Sequence, residues 1–208
     1  MQMLTELIES KRFNHLLNWL RKRRTMSFKI AFSALIIEDI ITGKKPHELS
    51  FWQDIDIIAV LGVVLIFTGS LIRLWAKGHF VKGKLFTSGP YAIIRHPLYL
   101  GSTIIMLGVL CILNDWFNWT VIVPMIILFH GAAIFCEEKS LETRFGRQWH
   151  DYKSAVPAII PSVRRRLLLN SADKWSWQVY CNTTEKMATA FFLGLPVFLE
   201  LLEESMFH

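Results

Sequence analysis

The 208-residue chain has little of what a secreted, metal-binding or nucleotide-cradling protein needs. Its three cysteines, Cys111, Cys136 and Cys181, show neither paired nor metal-type spacing, which argues against a disulfide framework and a cysteine zinc site; they read as packing residues. No glycine-rich phosphate loop, internal repeat or low-complexity segment is present, so neither a P-loop nor a dinucleotide fingerprint is available. Charge is missing over long stretches: no Asp, Glu, Lys or Arg occurs from Ile57 to Ile72 or from Trp116 to Cys136. A convincing secretory signal is lacking too, because Arg21-Lys22-Arg23-Arg24 follows a mostly polar start and no small-residue cleavage pattern comes after Ile41.

What is there is apolar. Hydrophobic residues make up 52% of the chain, more than an ordinary soluble domain carries, and the size suits a small integral membrane protein. The net charge of +6 requires no nucleic acid, since most basic residues flank apolar runs as they do in cytoplasmic loops. From Leu4 to Leu20 apolar residues recur at helical spacing among polar ones, which predicts an interfacial helix on an anionic leaflet. Phe28–Ile41 is a short apolar stretch containing Glu38-Asp39, and Asp54–Trp75, Leu98–Leu113 and Trp116–Cys136 are spans. Thr184–Leu202 is a last apolar helix. The expected fold is all-α, a multi-pass integral membrane protein with four to five transmembrane helices, a helical hairpin and a cytoplasmic pocket. The expected divisions are an interfacial segment over 1–26, a membrane core over 27–161 and an extension over 162–208.

Two polar clusters carry the chemistry. The first, Gly89-Pro90-Tyr91 to Arg95-His96-Pro97-Leu98-Tyr99, ends where an apolar run begins. Pro97 disfavours a helical His96 and suits a helix's first turn, so the helix starts at Pro97 or Leu98 with its positive end beside His96. The second, Glu137-Glu138, places two carboxylates at the end of the next apolar run, where they oppose the dipole and repel each other. A turn at Asn114-Asp115 makes the intervening runs an antiparallel hairpin, so both clusters meet on one side. Lys77, Lys82 and Lys84 before it and Lys139, Arg144, Arg147 and Lys153 after it put that side in the cytoplasm. Two glutamates facing an aromatic, histidine-bearing loop suit an organic cation such as a sulfonium, while metal binding by His79, His96, His130 and Glu137 has no ligand spacing behind it.

Gly89-Pro90-Tyr91, Arg95 to Tyr99 and Gly101, then Glu137-Glu138-Lys139-Ser140-Leu141, Phe145-Gly146, Tyr152 and Val156-Pro157 through Pro161 resemble, in order and spacing, the isoprenylcysteine carboxyl methyltransferase family. The related phospholipid N-methyltransferases share the sparser core. The resemblance implies a membrane enzyme that uses S-adenosyl-L-methionine without a Rossmann domain and takes a lipophilic acceptor from the bilayer, with no obligate protein partner. It assigns the cofactor to Lys84, Leu85, Tyr91, His96, Pro97, Leu98, Tyr99 and Glu137, and places Arg95 and Glu138 near the reacting centre. Members acting on prenylcysteine carry a substrate-binding arginine one turn before the paired glutamates, where this chain has Ala133, so the acceptor stays open between a prenylcysteine, a phospholipid amine and a small thiol. A membrane scaffold or small transporter is the competing class.

Overall fold

The computed structural model describes residues 11–44, 56–79, 83–113, 115–161 and 175–181, with residues 190, 194 and 197. Residues 1–10, Asn114 and nearly all of the apolar helix expected over Thr184–Leu202 lie outside them. The described residues form α1 (Lys11–Thr42), α2 (Ile57–Gly78), a single 3₁₀ turn (Gly89–Ala92), α3 (Pro97–Leu113), α4 (Trp116–Phe145), α5 (Arg147–Ala155) and α6 (Trp177–Cys181). No strand occurs among them.

Local chemistry sets the starts. Asp56 caps α2 by accepting hydrogen bonds from the Ile58 and Ala59 amides at 2.8 and 3.3 Å, and Asp115 caps α4 through the Phe117 amide at 3.1 Å. As its proline requires, α3 begins at Pro97 with His96 outside the helix. The sequence between Lys11 and Thr42 holds neither glycine nor proline, and α1 runs unbroken through the basic cluster, so the division expected at residue 26 falls inside one helix.

Among the described residues two helices, α2 and α4, are long and apolar enough to cross a membrane; α3 is apolar but shorter at 17 residues. Only 28% and 33% of the apolar windows of α2 and α4 are buried, unlike the core helix of a soluble protein. On α2 the exposed residues Ile57, Leu61, Val64, Phe67 and Leu71 follow one another at helical spacing, an apolar face suited to lipid. At 30 residues α4 is ~45 Å long, more than the ~30 Å of hydrocarbon, so the polar turns after Cys136 project beyond the apolar layer.

The hairpin exists, but its arms do not chiefly pack on each other. The closest pair is α2 with α3, and α4 packs mainly on α1. Glycines explain the first pairing: a Cβ on Gly69 would lie 2.6 Å from the Gly101 carbonyl oxygen, and one on Gly62 would lie 2.7 Å from that of Gly108. Such close backbone approach is how helices associate where burial against lipid gains nothing. Gly69→Leu is expected to destabilise the protein by about 1–3 kcal/mol through overpacking, read as a lower thermal midpoint in detergent. Gly131→Ala, whose Cβ meets nothing within 4 Å, is the control and should be neutral to stabilising by up to about 1 kcal/mol. Equal behaviour of the two would refute the glycine seam.

The second pairing buries Leu20, Phe28 and Leu35 of α1 against Ile122, Ile126, Phe129 and Ala132 of α4. At the far end Lys44 ties α1 to the hairpin turn, with its Nζ 2.7 Å from Asp115 and 3.1 Å from Glu38. Asp39 beside it accepts a 2.8 Å hydrogen bond from the buried Asn118.

Candidate active site

The two polar clusters meet. Arg95 Nη2 lies 2.6 Å from Glu138 Oε1, His96 Nε2 lies 3.2 Å from the same oxygen, and Lys153 Nζ lies 3.0 Å from Oε2. Arg95 also donates to the Lys153 and Val156 carbonyls, each at 2.9 Å, while the Arg95 and His96 amides donate to the Pro157 and Ala158 carbonyls. The segment 95–96 is thereby laid against 157–158 and holds the chain after α5 in place. Burial alone would push the Glu138 carboxyl up, but hydrogen bonds from His96 and Lys153 and the guanidinium of Arg95 outweigh it and hold the pKa at about 2.

Above this network lies a cavity of about 400 Å³, within the ~300–1,000 Å³ range of ligand pockets. Every expected cofactor residue lines it: Lys84, Leu85 and Tyr91, the run His96 to Tyr99, and Glu137. Arg95 lines it too. Glu138 does not, and its part in the geometry is to position Arg95 and His96. The adjacent carboxylates are therefore unlike: Glu138 is paired with the cations Arg95 and Lys153 and touches the His96 ring, whereas no cation pairs with Glu137 among the described residues and its neighbour is the Tyr99 hydroxyl.

The walls follow from packing. Trp149, Tyr152 and Val156 form a buried cluster against Leu85 and Phe145, and the Tyr152 hydroxyl donates to the Tyr91 carbonyl at 2.7 Å. Burial raises the Tyr152 pKa against the opposing charge of Arg95, so the phenol keeps the proton this bond needs. Gly89 has φ +58, and a Cβ there would meet the ring of His79, whose Nδ1 is 3.0 Å from the Trp75 carbonyl. His79 thus supports the turn that presents Tyr91, and His130 pairs with Thr103 at 3.0 Å. The α3 terminus offers its dipole more than free amides, since the Tyr99 and Leu100 N–H groups already donate to the His96 carbonyl.

Sequence reasoning missed several lining residues: Arg24 from α1, Arg73 and Ser102 from the α2–α3 seam, and Trp149. Trp149 lies between Phe145-Gly146 and Tyr152 of the resembling stretch. Its indole nitrogen is buried without a hydrogen-bond partner.

The phospholipid methyltransferase family model matches residues 49–148. The chain is 29% identical over 157 residues to the cobalt-zinc-cadmium resistance protein CzcN of Cupriavidus metallidurans, covering 73% of this chain and 67% of that one. It is 25% identical over 193 residues to the nickel-cobalt-cadmium resistance protein NccN of Alcaligenes xylosoxydans xylosoxydans, covering 89% and 85%. It is 30% identical over 134 residues to protein-S-isoprenylcysteine O-methyltransferase B of Arabidopsis thaliana, covering 58% of this chain and 64% of that enzyme. No solved structure matches. The matched region spans both polar clusters and the helices that bring them together; the chain is similar there to phospholipid methyltransferases and to isoprenylcysteine carboxyl methyltransferases, and the likeness supports methyltransferase activity.

Proposed function

We propose that the chain transfers a methyl group from S-adenosyl-L-methionine to a lipophilic acceptor, in the manner of a protein C-terminal S-isoprenylcysteine carboxyl O-methyltransferase. The observation that carries this is the convergence of Tyr91, the run His96 to Tyr99, and the uncompensated Glu137 on one cavity at the polar end of the apolar helices. The donor set fits the cofactor: a carboxylate for its cationic end and a helix dipole for its carboxylate. When bound, the cofactor supplies an activated methyl group on a positively charged sulfur.

The chain's own part is alignment and exclusion of water, the main demands of an in-line displacement. Glu137 fixes the cationic end. Arg95, clasped by Glu138 and two carbonyls, gives the cavity a rigid floor, with its guanidinium carbon 5.7 Å from the Trp149 ring centre. The proposed arrangement is multi-pass, with four or five spans, a core over residues 27–161, and the N-terminus and cavity on the cytoplasmic side; Lys77, Lys84, Arg144, Arg147 and Lys153 at that end support it.

Titration of the purified chain with S-adenosylmethionine and S-adenosylhomocysteine tests the reading. Saturable binding of both at micromolar concentrations is expected. No binding of either at millimolar concentration would overturn it in favour of a non-catalytic scaffold or transporter.

A further inference from the structure

We infer that the end of the molecule opposite the cavity binds a divalent cation of the calcium class, held by Glu38 and Asp39 of α1 and by Asp115 and Asn118 at the start of α4. Asp115 and Glu137 lie ~33 Å apart along α4, so this site is separate from the cavity and does not depend on the methyltransferase reading.

The last turn of α1 has no basic residue, and Glu38 and Asp39 stand at the negative end of its dipole. The hairpin turn brings Asp115 to them, and one oxygen from each of the three carboxylates lies within 4.8 Å of the others. A single cation with bonds of about 2.3–2.6 Å to oxygen spans that spread. Among the described residues the cation paired with all three is Lys44, and it does not satisfy them. Its ammonium has three N–H donors, and these face Glu38 Oε1 and Oε2 at 3.1 and 3.2 Å and Asp115 Oδ2 at 2.7 Å. Asp39 Oδ1 is left 3.8 Å from Nζ, cut off from water and without a hydrogen-bond partner, on a residue only 6% exposed. Asn118 repeats the pattern on the other helix. It is fully buried, its Nδ2 is held on Asp39 Oδ2 at 2.8 Å, and its Oδ1 has no partner. Two buried acceptor atoms on two bonded side chains, with no donor for either, are costly as they stand and call for a cation.

The donor chemistry selects the class. Carboxylate and carboxamide oxygens, with no histidine or cysteine in the cluster, favour a hard cation over a soft transition metal. The flexible shell of Ca²⁺ suits the spread of the oxygens better than the shorter bonds and strict octahedron of Mg²⁺. Three carboxylates against one ammonium leave a surplus of two negative charges, which a divalent ion cancels. The positive end of α4 is already answered by its Asp115 cap, through the other carboxylate oxygen. Lys44 stands just past the end of α1, after Gly43 with φ +70, and its side chain is 35% exposed, so it can turn out into water as the ion enters. The bound ion then joins the end of α1 to the start of α4 in place of the lysine.

The test uses the full chain in phosphatidylcholine nanodiscs, stripped with EDTA and titrated by calorimetry with CaCl₂ and, separately, with MgCl₂. One Ca²⁺ per chain is expected, with a dissociation constant below about 1 mM and weaker binding of Mg²⁺. The thermal midpoint should rise with Ca²⁺ and level off as the site fills. Asp39→Asn should weaken Ca²⁺ binding about tenfold or more, and Lys44→Gln, which removes the competing ammonium, should tighten it several-fold. A lysine clasp that serves packing alone predicts neither the binding nor the gain. The inference is overturned if the wild type shows no saturable Ca²⁺ binding up to about 10 mM, even where Lys44→Gln alone binds, because Lys44 is then the resident cation. It is also overturned by equal Ca²⁺ affinity in Asp39→Asn and the wild type, or by tighter binding of Mg²⁺ than of Ca²⁺. If Asp39→Asn does not fold, Glu38→Gln at the half-exposed member of the cluster takes its place: a loss of about threefold or more is expected, and no loss overturns the site.

Discussion

Replacing Glu137 with glutamine is expected to weaken S-adenosylmethionine and S-adenosylhomocysteine binding roughly ten- to more than a hundredfold while leaving the fold intact. The substitution preserves shape and hydrogen bonding and removes only the charge. A charge-assisted hydrogen bond in a partly desolvated cavity is worth ~1.5–3 kcal/mol, which converts to that range of affinity. Stability should hardly respond. Glu137 pairs with no cation among the described residues, and α4 continues to Phe145, so neutralising Glu137 breaks no ion pair and removes a repulsion with Glu138. Glu142→Gln is the matched control: that side chain is exposed, and its contact with His150 at 3.2 Å joins two solvated groups. Equal cofactor affinity in the two variants would remove Glu137 from the binding site. A Glu137→Gln protein that loses its folding transition together with binding would do the same.

Glu138→Gln should behave in the opposite way, acting on stability first. Removing one partner of a buried ion pair leaves the other charge uncompensated and costs on the order of 3–5 kcal/mol. Here Arg95 has a side chain only 9% exposed and His96 one only 2% exposed, whereas Lys153 at 44% contributes little. The pH dependence has a definite sign. A carboxyl lowered from its ordinary 4.5 to about 2 contributes stability that is fully present above pH 4.5 and is lost as pH falls through about 2, in total ~3 kcal/mol. The thermal midpoint of the wild type in detergent should therefore drop more steeply between pH 5 and pH 2 than that of Glu138→Gln. Other carboxylates, Asp115 with Lys44 among them, titrate in both proteins and cancel in the comparison. Parallel pH profiles would show that the network does not hold the site together. Cofactor affinity should also fall, because Arg95 and His96 lose the group that orients them, yet the loss should follow the fraction of protein folded, unlike that of Glu137→Gln.

Much of the site was legible along the chain because its rules act over a few residues. The steric effect of Pro97 on His96 placed the start of α3, and the Asp115 turn was enough to bring Arg95-His96 and Glu137-Glu138 to one end. The spans were less legible. Phe28–Ile41 reads as a short apolar stretch and Leu98–Leu113 as a span, yet α1 is one long helix carrying the basic cluster, and among the described residues only α2 and α4 meet the length and apolarity of a crossing.

The sequence by itself determined where α3 begins and which polar groups gather at the end of the hairpin, since these follow from backbone sterics, spacing and turn length. Tertiary structure alone decided that α3 lies on α2 and α4 on α1, because lipid-facing and protein-facing surfaces are both apolar and no periodicity separates them; the glycines mark a seam only once their partners are known. That pairing brought Arg24 into the cavity from a hundred residues away and gave Glu138, but not Glu137, its cations. Two neighbouring carboxylates of identical chemistry took different roles because electrostatic energy depends on distances through space, and the helical turn that separates their directions is set only when the surrounding helices have packed.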